Sequence, residues 1–226
     1  MTNKIVNIIF MDHKSIRNLN LVINDLEIKN NKVKIIAISK TFPIQEIKPL
    51  IDHGHRHYGE NKVQEASEKW TQIKKDFTDI KLHLVGKLQT NKVKFVLPLF
   101  DYIHSLDNLK LAEKIHLEQK KKNFKPKIFI QVNIGNEIQK NGVDIENLET
   151  FIKSCTEKFD LDIVGLMCIP PNNNKTQEYF QKMNELNNKF NFSELSMGMS
   201  DDYSLAVENG ASFIRIGSKI FGERSN

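Results

Sequence analysis

The chain has 226 residues, of which 39% are hydrophobic and 27% are charged, and this composition suits one globular domain with a sizeable core. Its net charge of +5 comes from 29 Lys and only 4 Arg spread along the sequence. The longest basic run, Lys120-Lys121-Lys122, is too short to follow a phosphate backbone. We therefore expect no nucleic-acid partner.

The cysteines and the N-terminal region indicate a reducing compartment. Cys155 and Cys168 lie on different predicted elements without CxxC spacing, so neither a disulfide framework nor a zinc site is predicted. The apolar run 5–11 has no small-residue cleavage site, and no stretch approaches the roughly 20 apolar residues of a membrane span. We expect a cytoplasmic protein with no membrane partner.

Short apolar runs alternate with longer segments of helical periodicity along the whole chain. The predicted strands are 33–38, 55–58, 82–85, 102–104, 128–132, 163–168, 194–197 and 213–216. The predicted helices are 14–28, before the first strand, and then 44–51, 63–73, 109–117, 145–155 and 176–190. Eight strand units without a glycine-rich dinucleotide fingerprint favour a closed α/β barrel, (β/α)₈, over an open sheet. We expect a single domain over 1–226 with an extra N-terminal helix.

Lys40 follows the first predicted strand, which is rich in isoleucine and valine. This composition is typical of a parallel strand that is covered on both faces. Burial disfavours an ammonium relative to the neutral amine, and the neutral amine is the form that attacks an aldehyde to make a Schiff base. The alternative from this segment alone is a strand-end lysine whose ammonium reaches solvent.

Hydroxyls and glycines follow the last two predicted strands. The seventh ends in Ser196-Met197-Gly198-Met199-Ser200 before Asp201-Asp202, and the eighth ends in Arg215-Ile216-Gly217-Ser218. Ligands bind at the carboxyl ends of barrel strands, and a phosphate requires such donors, free backbone N–H groups and close approach. Serine N-caps and turn glycines are the alternative for either loop alone. Both loops, opposite Lys40, predict a ligand with an aldehyde and a phosphate, pyridoxal 5′-phosphate.

Five motifs run in order along nearly the whole chain. They are Ala37-Ile38-Ser39-Lys40-Thr41, Tyr58-Gly59-Glu60-Asn61, His83-Leu84-Val85-Gly86, Leu195-Ser196-Met197-Gly198-Met199-Ser200-Asp201-Asp202 and Arg215-Ile216-Gly217-Ser218. Together these motifs resemble the YggS/PROSC family. The resemblance implies a lone TIM barrel similar to the N-terminal domain of alanine racemase, with pyridoxal 5′-phosphate as an internal aldimine. It also implies a role in vitamin B6 homeostasis.

The resemblance also implies which side chains meet the cofactor. Lys40 would form the aldimine, while Ser196, Gly217 and Ser218 would hold the phosphate. Arg215 would face the pyridine nitrogen. The complete set of implied cofactor-binding residues is Lys40, Asn61, His83, Ser196, Arg215, Gly217 and Ser218.

Arg215 and His83 each have a second interpretation. A guanidinium only donates hydrogen bonds, so a ring nitrogen facing Arg215 would stay unprotonated and would stabilise a carbanion weakly. The alternative for Arg215 is a salt bridge with Glu223. A histidine inside an apolar strand, such as His83, is commonly a hydrogen-bonded core residue. The alternating His53, His55 and His57 have no carboxylate or cysteine at useful spacing, so no metal site is predicted.

Acid–base groups decide between an enzyme and a binding protein. A racemase needs one acid–base group on each face of the ligand, and nothing in the sequence places one of the four tyrosines opposite Lys40. The chain ends at Asn226, about ten residues after the last predicted strand, so we expect no second domain here. We predict a monomeric protein that binds pyridoxal 5′-phosphate and delivers it to apo-enzymes. The alternatives are a low-activity amino-acid racemase and a barrel enzyme for a phosphorylated metabolite.

Overall fold

The structure, a computed structural model, describes residues 13–27, 32–137 and 141–223. In these ranges eight parallel strands close into a barrel in chain order, with β8 paired to β1. The strands are β1 (Lys34–Ile38), β2 (His57–Glu60), β3 (Lys81–Leu84), β4 (Tyr102–Leu106), β5 (Lys127–Gln131), β6 (Asp162–Met167), β7 (Glu194–Met199) and β8 (Phe213–Ile216). The predicted (β/α)₈ barrel is confirmed.

Helices alternate with the strands and cover the outside of the barrel. They are α1 (Lys14–Glu27), α2 (Ile44–Asp52), α3 (Val63–Asp76), α4 (Val93–Val96), α5 (Leu109–Lys122), α6 (Leu148–Lys153), α7 (Thr176–Lys189), α8 (Tyr203–Glu208) and α9 (Ser218–Phe221). The helix α1 before β1 is the extra N-terminal helix that the sequence predicts. It packs against α9, where Asn18 Nδ2 donates to the carbonyl oxygen of Ile220 at 3.0 Å.

Several element bounds differ from the prediction. Strand β2 begins two residues later than predicted and includes Gly59 and Glu60, because both pair with β3. The predicted helix 145–155 consists of a 3₁₀ turn (Ile145–Asn147), α6 and a π-helical turn (Ser154–Lys158). Helices α4 and α9 have four residues each, too few for a periodic pattern. The run 5–11 and residue 28 lie outside the described residues.

The two-residue repeat of each strand divides the core into two layers. Ile36 and Ile38 of β1 belong to a small cluster inside the barrel, whereas Ile35 and Ala37 pack in the larger layer between sheet and helices. Gly59 provides room in the interior, since an added Cβ would lie 2.5 Å from Ile38 Cδ1. Side chains of the described residues therefore fill the barrel interior.

The cysteines are free, and both are buried. Burial raises the pKa of the Cys155 and Cys168 thiols to about 12, so both thiols are protonated and unreactive. Within the described ranges, no helix is both long and apolar enough to cross a bilayer. The same ranges contain no group of three or more side chains placed to bind a metal ion. His53 caps the end of α2, so the alternating histidines do not share one strand.

Candidate ligand site at the mouth of the barrel

A cavity of about 590 Å³ opens where β1, β7 and β8 end. The strand ends and the turns after them form its walls, and barrels of this type bind ligands at this face. Four of the residues that the sequence predicts for the site lie in the lining, namely Lys40, Arg215, Gly217 and Ser218. The cavity has the size of a site for a small organic molecule.

Lys40 lines the cavity because of the two-residue repeat of β1. Ile36 and Ile38 lie inside the barrel, and Lys40 continues the same series at the strand end. It is half-buried there. The next residue, Thr41, has a left-handed backbone with φ of 68°, which costs about 1–3 kcal/mol. Its N–H donates to Glu65 Oε1 at 2.6 Å, and this bond holds the turn that carries Lys40.

The buried carboxylate of Glu60 stabilises the turn that carries Lys40. Glu60 Oε1 accepts hydrogen bonds from Ser39 Oγ at 2.7 Å, Trp70 Nε1 at 2.9 Å and Lys69 Nζ at 3.0 Å. Lys69 also donates to the carbonyl oxygen of Ser39 and to Glu65 Oε1. Burial alone raises the pKa of Glu65, but a backbone N–H and Lys69 outweigh it and lower the pKa. The network joins β1, β2 and α3 immediately beside the lysine.

Two hydroxyls form the opposite wall. Ser218 Oγ donates to Ser200 Oγ at 3.1 Å, and Gly217 leaves the backbone open next to Ser218. The N–H of Met199 donates to Asp202 Oδ1 at 2.6 Å, which fixes the turn after β7. The paired hydroxyls and the open backbone form a cup that suits an oxyanion such as a phosphate.

Arg215 is a buried cation at the inner end of the cavity. Its side chain is 5% exposed. It donates to Ser196 Oγ at 2.8 Å and to the carbonyl oxygen of Cys168 at 2.9 Å. Burial lowers its pKa from the ordinary value. No carboxylate of the described residues forms an ion pair with it, and Glu223 is an exposed residue of the rim, so the alternative salt bridge is not formed.

The structure places two of the predicted residues inside the barrel and not in the cavity lining. Ser196 is fully buried and bonded to Arg215 and His104, while His83 is fully buried between His57 and His104. The cause for Ser196 is the length of β7, which continues to Met199. Ser196 pairs with the first residue of β8, so it lies one layer below the mouth.

Ser200 carries the hydroxyl at the end of β7 that lines the cavity, and it is not among the predicted cofactor-binding residues. The predicted strand 194–197 ends two residues early, and this made Ser196 look like the strand-end residue. Asn61 also lies elsewhere, in a neighbouring cavity of about 190 Å³ with Lys62 and Lys87. Its backbone contacts Gly86, where an added Cβ would lie 2.4 Å from the Asn61 carbonyl oxygen.

Fold and site together define a class: a closed (β/α)₈ barrel whose first strand ends in a lysine and whose last two strands end in an oxyanion cup. The family model of the alanine racemase N-terminal domain matches residues 16–225. The chain is 39% identical over 203 residues to the pyridoxal phosphate homeostasis protein of Aquifex aeolicus (strain VF5), which covers 86% of this chain and 88% of that protein. The chain belongs to the alanine racemase N-terminal domain family and, within it, to the YggS/PROSC group that its motifs predict.

Solved structures agree with this assignment. PipY, the COG0325 family member of Synechococcus elongatus PCC7942, has structures without PLP and with PLP bound. Each matches with a TM-score of 0.82 and 34% identity over 91% of this chain and 99% of PipY. The alanine racemase of Clostridium difficile 630 is 13% identical with a TM-score of 0.71, over 93% of this chain and 57% of that one, so this likeness concerns the fold alone.

Proposed function

We propose that this protein binds pyridoxal 5′-phosphate, holds it covalently through Lys40 and serves in vitamin B6 homeostasis or delivery. The observation that carries the proposal is the meeting of Lys40, Arg215 and the Ser200–Ser218 hydroxyl pair in one cavity. An amine, a guanidinium and an oxyanion cup match the aldehyde, the ring nitrogen and the phosphate of a single ligand. The bound PLP of PipY and the name of the Aquifex relative support it.

The charge of Arg215, which has no carboxylate partner among the described residues, is the strongest support for a ligand here. A buried guanidinium without a carboxylate partner is costly, and a ligand that accepts a hydrogen bond from it lowers that cost. When bound, pyridoxal phosphate supplies an electron sink whose strength depends on protonation of its ring nitrogen. Arg215 offers that nitrogen donors only, so it favours the unprotonated, weaker form.

The acid–base groups of the cavity support a binding role without efficient turnover. Lys40 can hold or move a proton on one face of a flat ligand, and racemisation needs a second group on the other face. Among the described residues, no tyrosine or histidine lines the cavity, and the carboxylates that do, Asp201 and Glu223, are exposed at its rim. Under this proposal the protein stores the cofactor and transfers it to apo-enzymes. Racemisation and transamination are slow side reactions.

The proposal extends to the setting of the protein. We infer one domain over 1–226, a monomer in the cytoplasm, and apo-enzymes that depend on pyridoxal phosphate as recipients. The two free, buried thiols support a reducing compartment. The open mouth, with Lys40 only half-buried, supports an exchangeable ligand. Light scattering after size-exclusion chromatography checks the monomer, and reactivation of an apo-enzyme by the loaded protein checks delivery.

The decisive experiment is the absorption spectrum of the purified protein with and without added pyridoxal phosphate. We expect a visible band that disappears on borohydride reduction and leaves the cofactor's mass on the Lys40 peptide. Lys40→Ala should lose the band and keep the fold, because it truncates one side chain at an open mouth. Lys62→Ala, an exposed lysine of the neighbouring cavity, is the matched control and should keep the band.

Three outcomes would overturn the proposal. A Lys40→Ala spectrum equal to wild type after dialysis would move the attachment to another lysine. Racemisation of L-alanine by the wild-type protein at typical enzyme rates, roughly 1 s⁻¹ or faster, would make it an amino-acid racemase. A protein that binds sugar phosphates in the cup and never gives the visible band would instead be a barrel for phosphorylated metabolites.

A further inference from the structure

A chain of hydrogen bonds crosses the barrel interior and ends at Arg215. His57 Nδ1 lies 2.9 Å from His83 Nε2, and His83 Nδ1 lies 2.9 Å from His104 Nε2. His104 Nδ1 lies 3.0 Å from Ser196 Oγ, which accepts from Arg215. The chain, here called the histidine relay, runs from β2 through β3 to β4 and then across the barrel to β7 and β8.

Arg215 fixes the direction of every hydrogen bond in the relay. A guanidinium only donates, so Ser196 Oγ accepts from it, and the Ser196 hydroxyl proton needs an acceptor. In the described residues, His104 Nδ1 is that acceptor. His104 then donates from Nε2 to His83 Nδ1, and His83 donates from Nε2 to His57 Nδ1.

The opposite direction leaves one buried donor without a partner. If His104 Nδ1 donated to Ser196, the described residues would offer the Ser196 hydroxyl proton no acceptor. Because the unsatisfied buried donor raises the free energy of this opposite arrangement, the first direction is favoured by roughly 5- to 150-fold. All three imidazoles then carry their proton on Nε2 and turn their lone pair towards Arg215.

Packing keeps the imidazoles of the relay neutral. His83 stacks on Tyr102 with ring centroids 4.3 Å apart, and His104 stacks on Phe129 at 4.4 Å. Phe213 contacts all three histidine rings. Burial lowers the pKa of His83 and of His104 well below the ordinary value.

His57, the end of the relay farthest from Arg215, lies among charged side chains at the end of the barrel where the strands begin. Burial first, and then Lys34 and Lys81, lower the pKa of His57 to about 4, although Asp101 and Glu194 raise it. Lys34 is paired with Glu194 at 2.8 Å. At neutral pH this end is therefore uncharged, like the rest of the relay.

The relay cannot be a proton wire, because it ends at a group that neither gives up nor takes a proton in a protein. What it supplies instead is a row of aligned dipoles, with their negative ends facing the guanidinium. A carboxylate partner would also stabilise Arg215, but it would cancel the positive charge that faces the cavity. Dipoles stabilise the charge without cancelling it.

We propose that His57, His83, His104 and Ser196 are positioning residues that replace a counter-ion for Arg215 and aim its remaining N–H groups at an unprotonated ring nitrogen of the ligand. The inference rests on the proposed function for the identity of the ligand. The relay itself is a property of the protein without ligand. Its loss should reduce selection for a neutral ring nitrogen and leave the phosphate cup intact.

The first test uses protein without any ligand. Long-range ¹⁵N–¹H NMR spectra of histidine-labelled protein, assigned by single substitutions, report which ring nitrogen carries the proton. We expect the Nε2–H form for His57, His83 and His104, with no titration between about pH 5.5 and 8. A proton on Nδ1 of His104, or a doubly protonated His104 at pH 7, would overturn the proposal.

The second test measures ligand selection. The probes are 4-deoxypyridoxine 5′-phosphate, which lacks the aldehyde and binds without a covalent bond, and its N-methylated form, whose ring nitrogen is permanently cationic. We expect His104→Phe to lower the preference for the neutral probe at least tenfold, about the weight of one charge-assisted hydrogen bond. His116→Phe is the matched control, because His116 is partly buried, lies on α5 and bonds the carbonyl oxygen of Phe159, outside the relay.

The two tests separate the relay from the proposed function. A purely structural defect would weaken both probes equally, so an unchanged preference in folded His104→Phe would refute the positioning role. Wild-type protein that binds neither probe would refute the proposed function, and the ligand-free NMR result would still decide the direction of the relay. Should His104→Phe fail to fold, Ser196→Ala breaks the relay at a smaller side chain and must show the same loss of preference.

Discussion

Serine substitutions at three positions test which hydroxyls hold the phosphate. Ser200 and Ser218 line the cavity and their hydroxyls are 3.1 Å apart, whereas Ser196 is buried beneath Arg215. A hydrogen bond to a charged group is worth about 1.5–3 kcal/mol. Ser200→Ala and Ser218→Ala should therefore each weaken pyridoxal phosphate binding by roughly 10- to 150-fold and hardly affect pyridoxal.

The double variant and Ser196→Ala refine this prediction. Because the two mouth hydroxyls bond each other, the double Ser200→Ala, Ser218→Ala variant should lose less than the sum of the single losses. Ser196→Ala should weaken pyridoxal phosphate and pyridoxal by similar factors, since it acts through Arg215, which we propose faces the ring. Its phosphate preference should stay at the wild-type value.

The assay is a spectroscopic titration of each variant with pyridoxal phosphate and with pyridoxal. The readout is the ratio of the Kd for pyridoxal to the Kd for pyridoxal phosphate. Thermal melts without ligand verify that each variant is folded. The reasoning would be refuted if Ser196→Ala lowered the ratio as much as Ser218→Ala while Ser200→Ala left it unchanged. In that case the serine chosen from the sequence, and not the one that lines the cavity, would hold the phosphate.

Three further predictions concern stability. Glu60→Leu should lower the free energy of unfolding by about 3 kcal/mol, because Lys69 loses a buried partner, and the melting temperature should fall by roughly 10 °C. Gly165→Ala should prevent normal pairing of β6 with β7, since an added Cβ would lie 1.8 Å from the Glu194 carbonyl oxygen; an unchanged melt would contradict this. The pKa of His57 is about 4 in the folded protein, so as the pH falls the unfolded chain takes up a proton at this histidine at a higher pH than the folded protein does. Urea titrations should then show stability falling as pH drops from about 6.5 to about 4, by up to roughly 3 kcal/mol for this group.

The sequence by itself determined the barrel and the position of its lysine. Periodicity is local: strands repeat every two residues and helices every 3.6, so the alternation of strands and helices can be read without tertiary contacts. The series Ile36, Ile38, Lys40 belongs to the same local repeat, and it puts the amine at the ligand face once the sheet closes. The residues at the strand ends predicted the cofactor, and motif resemblance added the family.

The tertiary structure alone decided which serine lines the mouth and what surrounds Arg215. Strand β7 continues beyond Ser196 to Met199, with a register irregularity between the two, so Ser196 lies below the mouth and Ser200 lines the cavity. Such irregularities depend on packing between strands. One hydrogen bond of the histidine relay joins His104 and Ser196, which are 92 positions apart in the chain. Their contact arises from closure of the barrel, because closure brings side chains from opposite strands into one interior that no local pattern describes.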